Sequence, residues 1–174
     1  MAEVILVDND DKFIGTAEKL HAHRKSLLHR AFSIFIYNDN NEILLQQRSK
    51  EKYHCGDLWT NTCCSHAILG ENIKDTAKTR LQFEMNLMAE LEFAGKFYYK
   101  AYLGNDMSEH EIDHVFVGKY QGENICPNPD EASNFSWTPP EYLATQLRET
   151  PEKFTPWLSQ ALTIALKHLH FQQK

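Results

Sequence analysis

Along most of this chain apolar residues alternate with polar ones or gather in short runs, and they fall into a helical repeat in three places. Val4 to Val7 is a short strand signal that breaks at Asp8-Asn9-Asp10-Asp11, and Gly15-Thr16-Ala17-Glu18-Lys19 leads into a polar segment rich in histidine. Arg30 to Tyr37 alternates, Asn38-Asp39-Asn40-Asn41 turns the chain, and Ile43 to Arg48 continues as a second strand, which together make a hairpin signal. Ile73, Ala77 and Leu81 recur every four residues and mark the buried stripe of a helix from about Asn72 to Asn86. Leu91 to Tyr102, apolar and aromatic around Gly95, reads as one or two strands. Gly104-Asn105-Asp106 then turns into a strand that carries Glu109 and Glu111 and runs through Val117. Phe135-Ser136-Trp137 is a short strand, and Pro139 starts a helix with Tyr142, Leu143 and Leu147. Thr155-Pro156 supplies an N-cap and a first-position proline for a last helix, buried through Leu158, Ala161, Leu162, Ala165, Leu166 and Leu169.

With 174 residues, 42% hydrophobic and 24% charged, the expectation is one globular domain over residues 1–174 with no internal repeat or linker. The net charge of −6 argues against a nucleic-acid backbone binder, so any anionic ligand must be met by a local cluster of Lys and Arg. Cys55, Cys63, Cys64 and Cys126 make no dense disulfide framework, which suits a reducing compartment. The N-terminus lacks a basic leader, and no window approaches the roughly 20 apolar residues of a membrane span. A cytoplasmic monomer or weak homodimer without a membrane partner is expected.

Trp59-Thr60-Asn61-Thr62-Cys63-Cys64-Ser65-His66 places a thiol and an imidazole two residues apart, and either can do proton chemistry or hold a metal. Alone, such a pair is more often a packed cysteine beside a hydrogen-bonded histidine. Partners elsewhere change the weighting. On a strand, Glu109 and Glu111 share one face with Cα atoms roughly 6.5 to 7 Å apart, and upstream lie His21, His23 and His29. Imidazoles with carboxylates form a nitrogen and oxygen set suited to Mn, Zn, Fe or Mg. Spacing leaves open whether His21 or His23 is the ligand.

Five stretches in order carry a resemblance that spans about residues 4 to 170: Leu28-His29-Arg30-Ala31-Phe32-Ser33, Leu45-Gln46-Gln47-Arg48-Ser49, Thr60 to His66, Glu109-His110-Glu111-Ile112-Asp113-His114 and Phe154-Thr155-Pro156-Trp157. Together they resemble type I isopentenyl-diphosphate delta-isomerases, which implies an α/β (α+β) Nudix-like mixed β-sheet sandwich flanked by helices. The resemblance implies interconversion of isopentenyl and dimethylallyl diphosphate. It casts Cys64 and Glu111 as the acid/base pair, Trp157 as the aromatic face over the reacting carbons, and Tyr99 as a hydrogen-bond partner of the catalytic Glu. It implies Lys19, Arg48, Lys52 and Arg80 on the diphosphate. His23, His29, His66, Glu109 and Glu111 would hold one Mn²⁺, Zn²⁺ or Mg²⁺, and Glu84 with the Cys64 carbonyl a Mg²⁺. The helix from Asn72 to Asn86 resembles a degenerate Nudix helix, with Thr79 and Arg80 for Arg-Glu and Phe83-Glu84 for Glu-Glu. Cys55 stands where a proline is common, which leaves open a thiol at the entrance, and the segment from His23 to His29 is expected to be flexible until ligands bind.

Two other readings stand beside this one. A Nudix-type diphosphohydrolase would release phosphate products, and an interaction protein with a structural zinc held by Cys63, Cys64, His66 and the early histidines would unfold on chelation.

Overall fold

The structure, a computed structural model, describes residues 2–172. In chain order the elements are β1 (Glu3–Val7), β2 (Phe13–Glu18), α1 (Lys19–Arg24), β3 (His29–Tyr37), β4 (Ile43–Arg48), β5 (Trp59–Thr60) and β6 (Cys63–His66). There follow α2 (Ile73–Met85), β7 (Leu91–Gly104), β8 (Met107–Lys119), β9 (Ala132–Thr138), α3 (Pro140–Glu149) and α4 (Leu158–Gln172).

A mixed sheet runs through the molecule with helices on both faces. Strand β3 is its axis: it pairs in parallel with β8 from His29↔Glu111 to Tyr37↔Lys119 and antiparallel with β6 from Ala31↔His66 to Ile34↔Cys63. The period of two then sorts the core. Phe32, Ile34 and Ile36 face α2 and pack with Leu81, Met85 and Cys63, whereas Phe35 faces α4 and packs with Leu158, Ala161 and Leu162. Cys63 and Cys64 therefore point to opposite sides, as their adjacency on an extended chain requires.

The expected hairpin is a hairpin only at its turn. β3 and β4 pair at Tyr37↔Ile43 and then part, because β3 continues between β8 and β6 while β4 is taken up by β9 and β5. Their parting opens a cleft at the His29 end of β3 and the Arg48 end of β4. Leu91 to Gly104 is one strand, kept continuous by a register shift between Phe93 and Gly95.

In the segment expected to be flexible, His23 lies in α1 and His29 opens β3. Residues 13–18 form an edge strand on β1, and Glu18 caps α1 by accepting from the Leu20 and His21 amides. Helix α2 matches its expected limits, with Asn72 accepting from the Lys74 amide and Asn86 closing it in the left-handed region. At α4 the expected N-cap is displaced. The Thr155 hydroxyl is buried against the Thr60 hydroxyl at 2.8 Å, and helix begins at Leu158 after a turn at Pro156 and Trp157. No helix among the described residues is long and apolar enough to cross a membrane.

Leu81 is fully buried between α2 and the sheet. Leu81→Ala is expected to destabilise the protein by roughly 2–5 kcal/mol, read as a lower urea midpoint; a midpoint unchanged from wild type would refute this packing.

Candidate active site

Strand register brings the chemistry together. His29 lies beside Glu111, Ala31 beside both Asp113 and His66, Ser33 beside Cys64, and Tyr99 beside Glu111. Cross-strand neighbours project to the same side, so His29, Cys64, His66, Glu109, Glu111, Asp113 and Tyr99 share one face. Helix α1 adds His23 to this face. Of the two candidates His23 is buried on this face, while His21 is exposed.

One ligand atom each from His23, His29, His66, Glu109 and Glu111 lies within 4.8 Å of every other. His29 Nε2 and His66 Nε2 approach Glu111 Oε1 at 3.2 and 2.9 Å, and His23 Nε2 approaches Glu109 Oε2 at 3.4 Å. The far nitrogens of two rings are fixed from outside: His23 Nδ1 lies 2.7 Å from the Lys19 carbonyl and His29 Nδ1 2.8 Å from the Leu27 carbonyl. A ring whose Nδ1–H donates to a carbonyl turns a bare Nε2 lone pair inward, the form in which imidazole binds a metal. His23 Nε2, His29 Nε2 and Glu109 Oε2 are buried without a hydrogen-bond partner. Native interiors rarely tolerate such atoms together, so the donor set fits a divalent cation by geometry and by chemistry.

Beside this cluster lies a cleft lined by Lys19, Arg48, Lys52, Cys64, Arg80, Glu84 and Trp157 among others. Cys64 lies 3.7 Å from Arg48 Nη1. Burial pushes its thiol up to about 12 in spite of that guanidinium, so it keeps its proton at neutral pH. Burial would raise Glu111 as well, but its close neighbours Glu109 and His29 outweigh it and hold the carboxyl down at about 2. A proton donor and an ionised carboxylate thus stand together at the cleft. Trp157 donates its Nε1–H to Asn61 Oδ1 at 3.2 Å, which fixes the ring, and Arg48 lies 5.6 Å from it.

The cations are arranged differently from one another. Lys19 is driven toward its neutral form by burial and by the nearby positive charge of Lys52, a strain that an anion would relieve. Lys52 is ion-paired with Glu131, and Arg80 with Glu84 at 2.5 Å and with Glu131 at 3.4 Å. Glu84 also accepts from Gln46 Nε2 at 3.0 Å. Tyr99 departs from expectation: it sits opposite Glu111, but its hydroxyl is buried without a partner. Cys55 is half-buried rather than exposed.

Sequence reasoning missed His54, Tyr53, Asp113 and Glu131, all of which line the cleft. Asp113 accepts from the Ser33 hydroxyl at 2.7 Å, and burial beside the charge of Glu111 raises it well above the usual carboxylate range. The alternation Glu109, Glu111, Asp113 was a signal for it. His54 and Tyr53 lie in a loop, where no periodicity reports direction.

The chain matches the NUDIX domain over residues 27–158. It is 46% identical over 154 residues to the isopentenyl-diphosphate Delta-isomerase of Serratia proteamaculans, covering 88% of this chain and 86% of the relative. This chain belongs to the isopentenyl-diphosphate Delta-isomerase family. A second family member, from Photobacterium profundum, is 39% identical and covers 98% of this chain and 97% of its own. The fold alone is shared with the crystal structure of DR0079 from Deinococcus radiodurans, at TM-score 0.77 and 16% identity over 93% of this chain and 98% of that one. MutT protein from Methanosarcina mazei Go1 gives TM-score 0.67 at 16% identity, over 84% and 96%. Membership of the isomerase family supports the isomerase reading over the two alternatives, and the site agrees. The cluster contains no cysteine, Cys63 is packed in the core, and Glu84 of α2 is tied to Arg80 and Gln46.

A thiol held protonated alkylates slowly, because the thiolate is the nucleophile. Iodoacetamide at pH 7.5 is expected to label exposed Cys126 and to leave Cys64 unmodified until urea is added, as read by peptide mass mapping. Labelling of Cys64 as fast as Cys126 would contradict the raised thiol.

Proposed function

We propose that this chain interconverts isopentenyl diphosphate and dimethylallyl diphosphate in isoprenoid biosynthesis. The observation that carries the residue assignment is that a protonated thiol, an ionised carboxylate and an indole meet at a cleft rimmed by Lys and Arg.

The reaction adds a proton to one carbon of the alkene and removes one from another. Cys64 and Glu111 are assigned as the acid/base pair, in opposite resting protonation states, so a donor and an acceptor are both in place at neutral pH. A tertiary carbocation between the two transfers must be kept from water and from nucleophiles. Trp157, 4% exposed and held by Asn61, offers an indole face for that charge, an interaction worth roughly 2 kcal/mol or more when desolvated. A thiol with its proton on is a poor nucleophile toward the cation, which the raised Cys64 supports.

Lys19, Arg48, Lys52 and Arg80 are assigned to the diphosphate. Binding energy at this non-reacting end positions the alkene between the acid/base groups. His23, His29, His66, Glu109 and Glu111 would hold one Mn²⁺, Zn²⁺ or Mg²⁺, and Glu84 with the Cys64 carbonyl a Mg²⁺ brought with the diphosphate. Bound there, such ions would orient Glu111, tune its proton affinity and neutralise phosphate charge. Tyr99, whose hydroxyl has no other partner, is assigned to Glu111, its register neighbour.

The reading takes the protein as a monomer or weak homodimer. The four free thiols fit the cytoplasm. The ligand class is a small prenyl diphosphate, with no role for nucleic acid or membrane, and the whole of residues 1–174 serves as one domain.

Proton NMR of isopentenyl diphosphate in D₂O with Mg²⁺ and trace Mn²⁺ or Zn²⁺ tests this reading. Wild type is expected to form deuterated dimethylallyl diphosphate, and Cys64→Ala to lose about 10²–10⁴-fold in rate. Unchanged turnover in the variant would remove Cys64 from the chemistry, and inorganic phosphate in place of the isomer would favour the hydrolase.

A further inference from the structure

His54 has no part in the chemistry above, yet its loop is built to deliver it. Arg48 donates from Nε to the Cys55 carbonyl at 3.2 Å and from Nη2 to the His54 carbonyl at 3.3 Å, which ties the loop backbone to the cleft. Cys55 and Asp57 hold φ of +51° and +63°, and a Cβ on Gly56 between them would meet the Lys50 carbonyl oxygen at 2.8 Å. Strained backbone of this kind persists only where its surroundings over-determine it.

The side chain is turned inward and is 7% exposed. Its Nε2 lies 3.1 Å from Glu109 Oε1, and its ring stacks on His23 at 5.7 Å between centroids and 26° between planes. The same ring meets Trp157 edge-on at 6.4 Å. Glu109 is thereby divided between two neighbours: Oε1 faces His54, while Oε2, 3.4 Å from His23 Nε2, is left to the five-atom cluster. His54 Nδ1 is buried without a partner. An apolar ring would fill the same space without burying that nitrogen, so packing does not account for an imidazole here.

We propose that His54 is a positioning residue for the ion-binding cluster: its Nε2–H donates to Glu109 Oε1 and fixes the carboxylate with Oε2 facing His23. The inference rests on the reading of the cluster as a divalent-ion site. Partners of this kind, one bond removed from the ion, orient the ligand and strengthen binding by roughly 10–100-fold.

The test is Zn²⁺ affinity of the metal-stripped protein, measured by competition with a chromophoric chelator and without substrate, with circular dichroism melts confirming that each variant is folded. His54→Ala is expected to bind Zn²⁺ roughly 10–100-fold more weakly than wild type. His54→Gln, whose amide nitrogen reaches toward the place of Nε2, is expected to recover most of the loss, and His54→Asn, which ends near the place of Nδ1, is not. Equal affinity of wild type and His54→Ala, or equal affinity of the Gln and Asn variants, would overturn the proposal. His23→Ala separates the two layers. If Zn²⁺ uptake by wild type is lost in His23→Ala and kept in full by His54→Ala, the inference fails and the ion site stands. If wild type takes up no more than His23→Ala, both fall.

Discussion

The parallel pairing of β3 with β8 is the constraint on which the site depends. His29 stands beside Glu111 and Ser33 beside Val115 along an unbroken register, so a slip of one residue on β8 would turn Glu109, Glu111 and Asp113 into the α2 core and bring His110 and His114 into the cleft. The core prevents that slip. Phe116 packs with Phe32 and Leu81 on one face while Val115 and Val117 pack with Phe35 and Leu158 on the other. Hydrophobic burial on both faces therefore fixes the relation between a histidine and a carboxylate some eighty positions apart in the chain. The other ligands are referred to the same strand, His66 through its pairing with Ala31 and His23 through α1, which packs against β8.

Burying so many titratable groups has an electrostatic cost that the arrangement offsets in part. Glu111 is held ionised by His29 and Glu109, His23 and His29 are oriented by carbonyls, and burial beside Glu111 shifts Asp113 toward its neutral form. Three of the buried atoms left without a hydrogen-bond partner belong to the cluster: His23 Nε2, His29 Nε2 and Glu109 Oε2. The same principle places Cys64. Its raised thiol is the consequence of a dry wall, and a dry wall is what a carbocation needs.

Much of this was legible in the sequence, for physical reasons that differ by element. Helix α2 was readable to within a residue because Asn72 and Asn86 are local cap signals and Ala77 and Leu81 a local stripe. The gathering of His23, His29, His66, Glu109 and Glu111 was readable by resemblance, and its two carboxylates by period. What escaped was decided by long-range partners. The β3–β4 hairpin is pulled apart by β8, β6 and β9, and the Thr155 cap yields to Thr60, 95 positions away. The histidine-rich segment becomes α1 because Glu18 caps it and Ala22 and His23 find a core. His54 belongs to a loop whose direction is set by Arg48 and by positive φ at Cys55 and Asp57, and neither is visible in composition.

The charge of the cleft bears on how one fold serves different chemistries. The chain as a whole is acidic, yet Lys19, Arg48, Lys52 and Arg80 converge on one cavity. Two of these cations are already occupied: Lys52 by Glu131, and Arg80 by Glu131 and Glu84. An incoming anion must either displace those carboxylates or arrive with a cation that they can share, and the second route retains every ion pair while adding new ones. Glu84 is held on both oxygens, by Arg80 on one side and Gln46 on the other. A carboxylate so committed can steady a cation shared with phosphate oxygens, but it is poorly placed to supply the freely hydrated metal cluster on which water-driven cleavage of a diphosphate depends. In the proposed function, retention of the diphosphate would then follow from the residues assigned to bind it, with the reactive end of the ligand left to Cys64, Glu111 and Trp157.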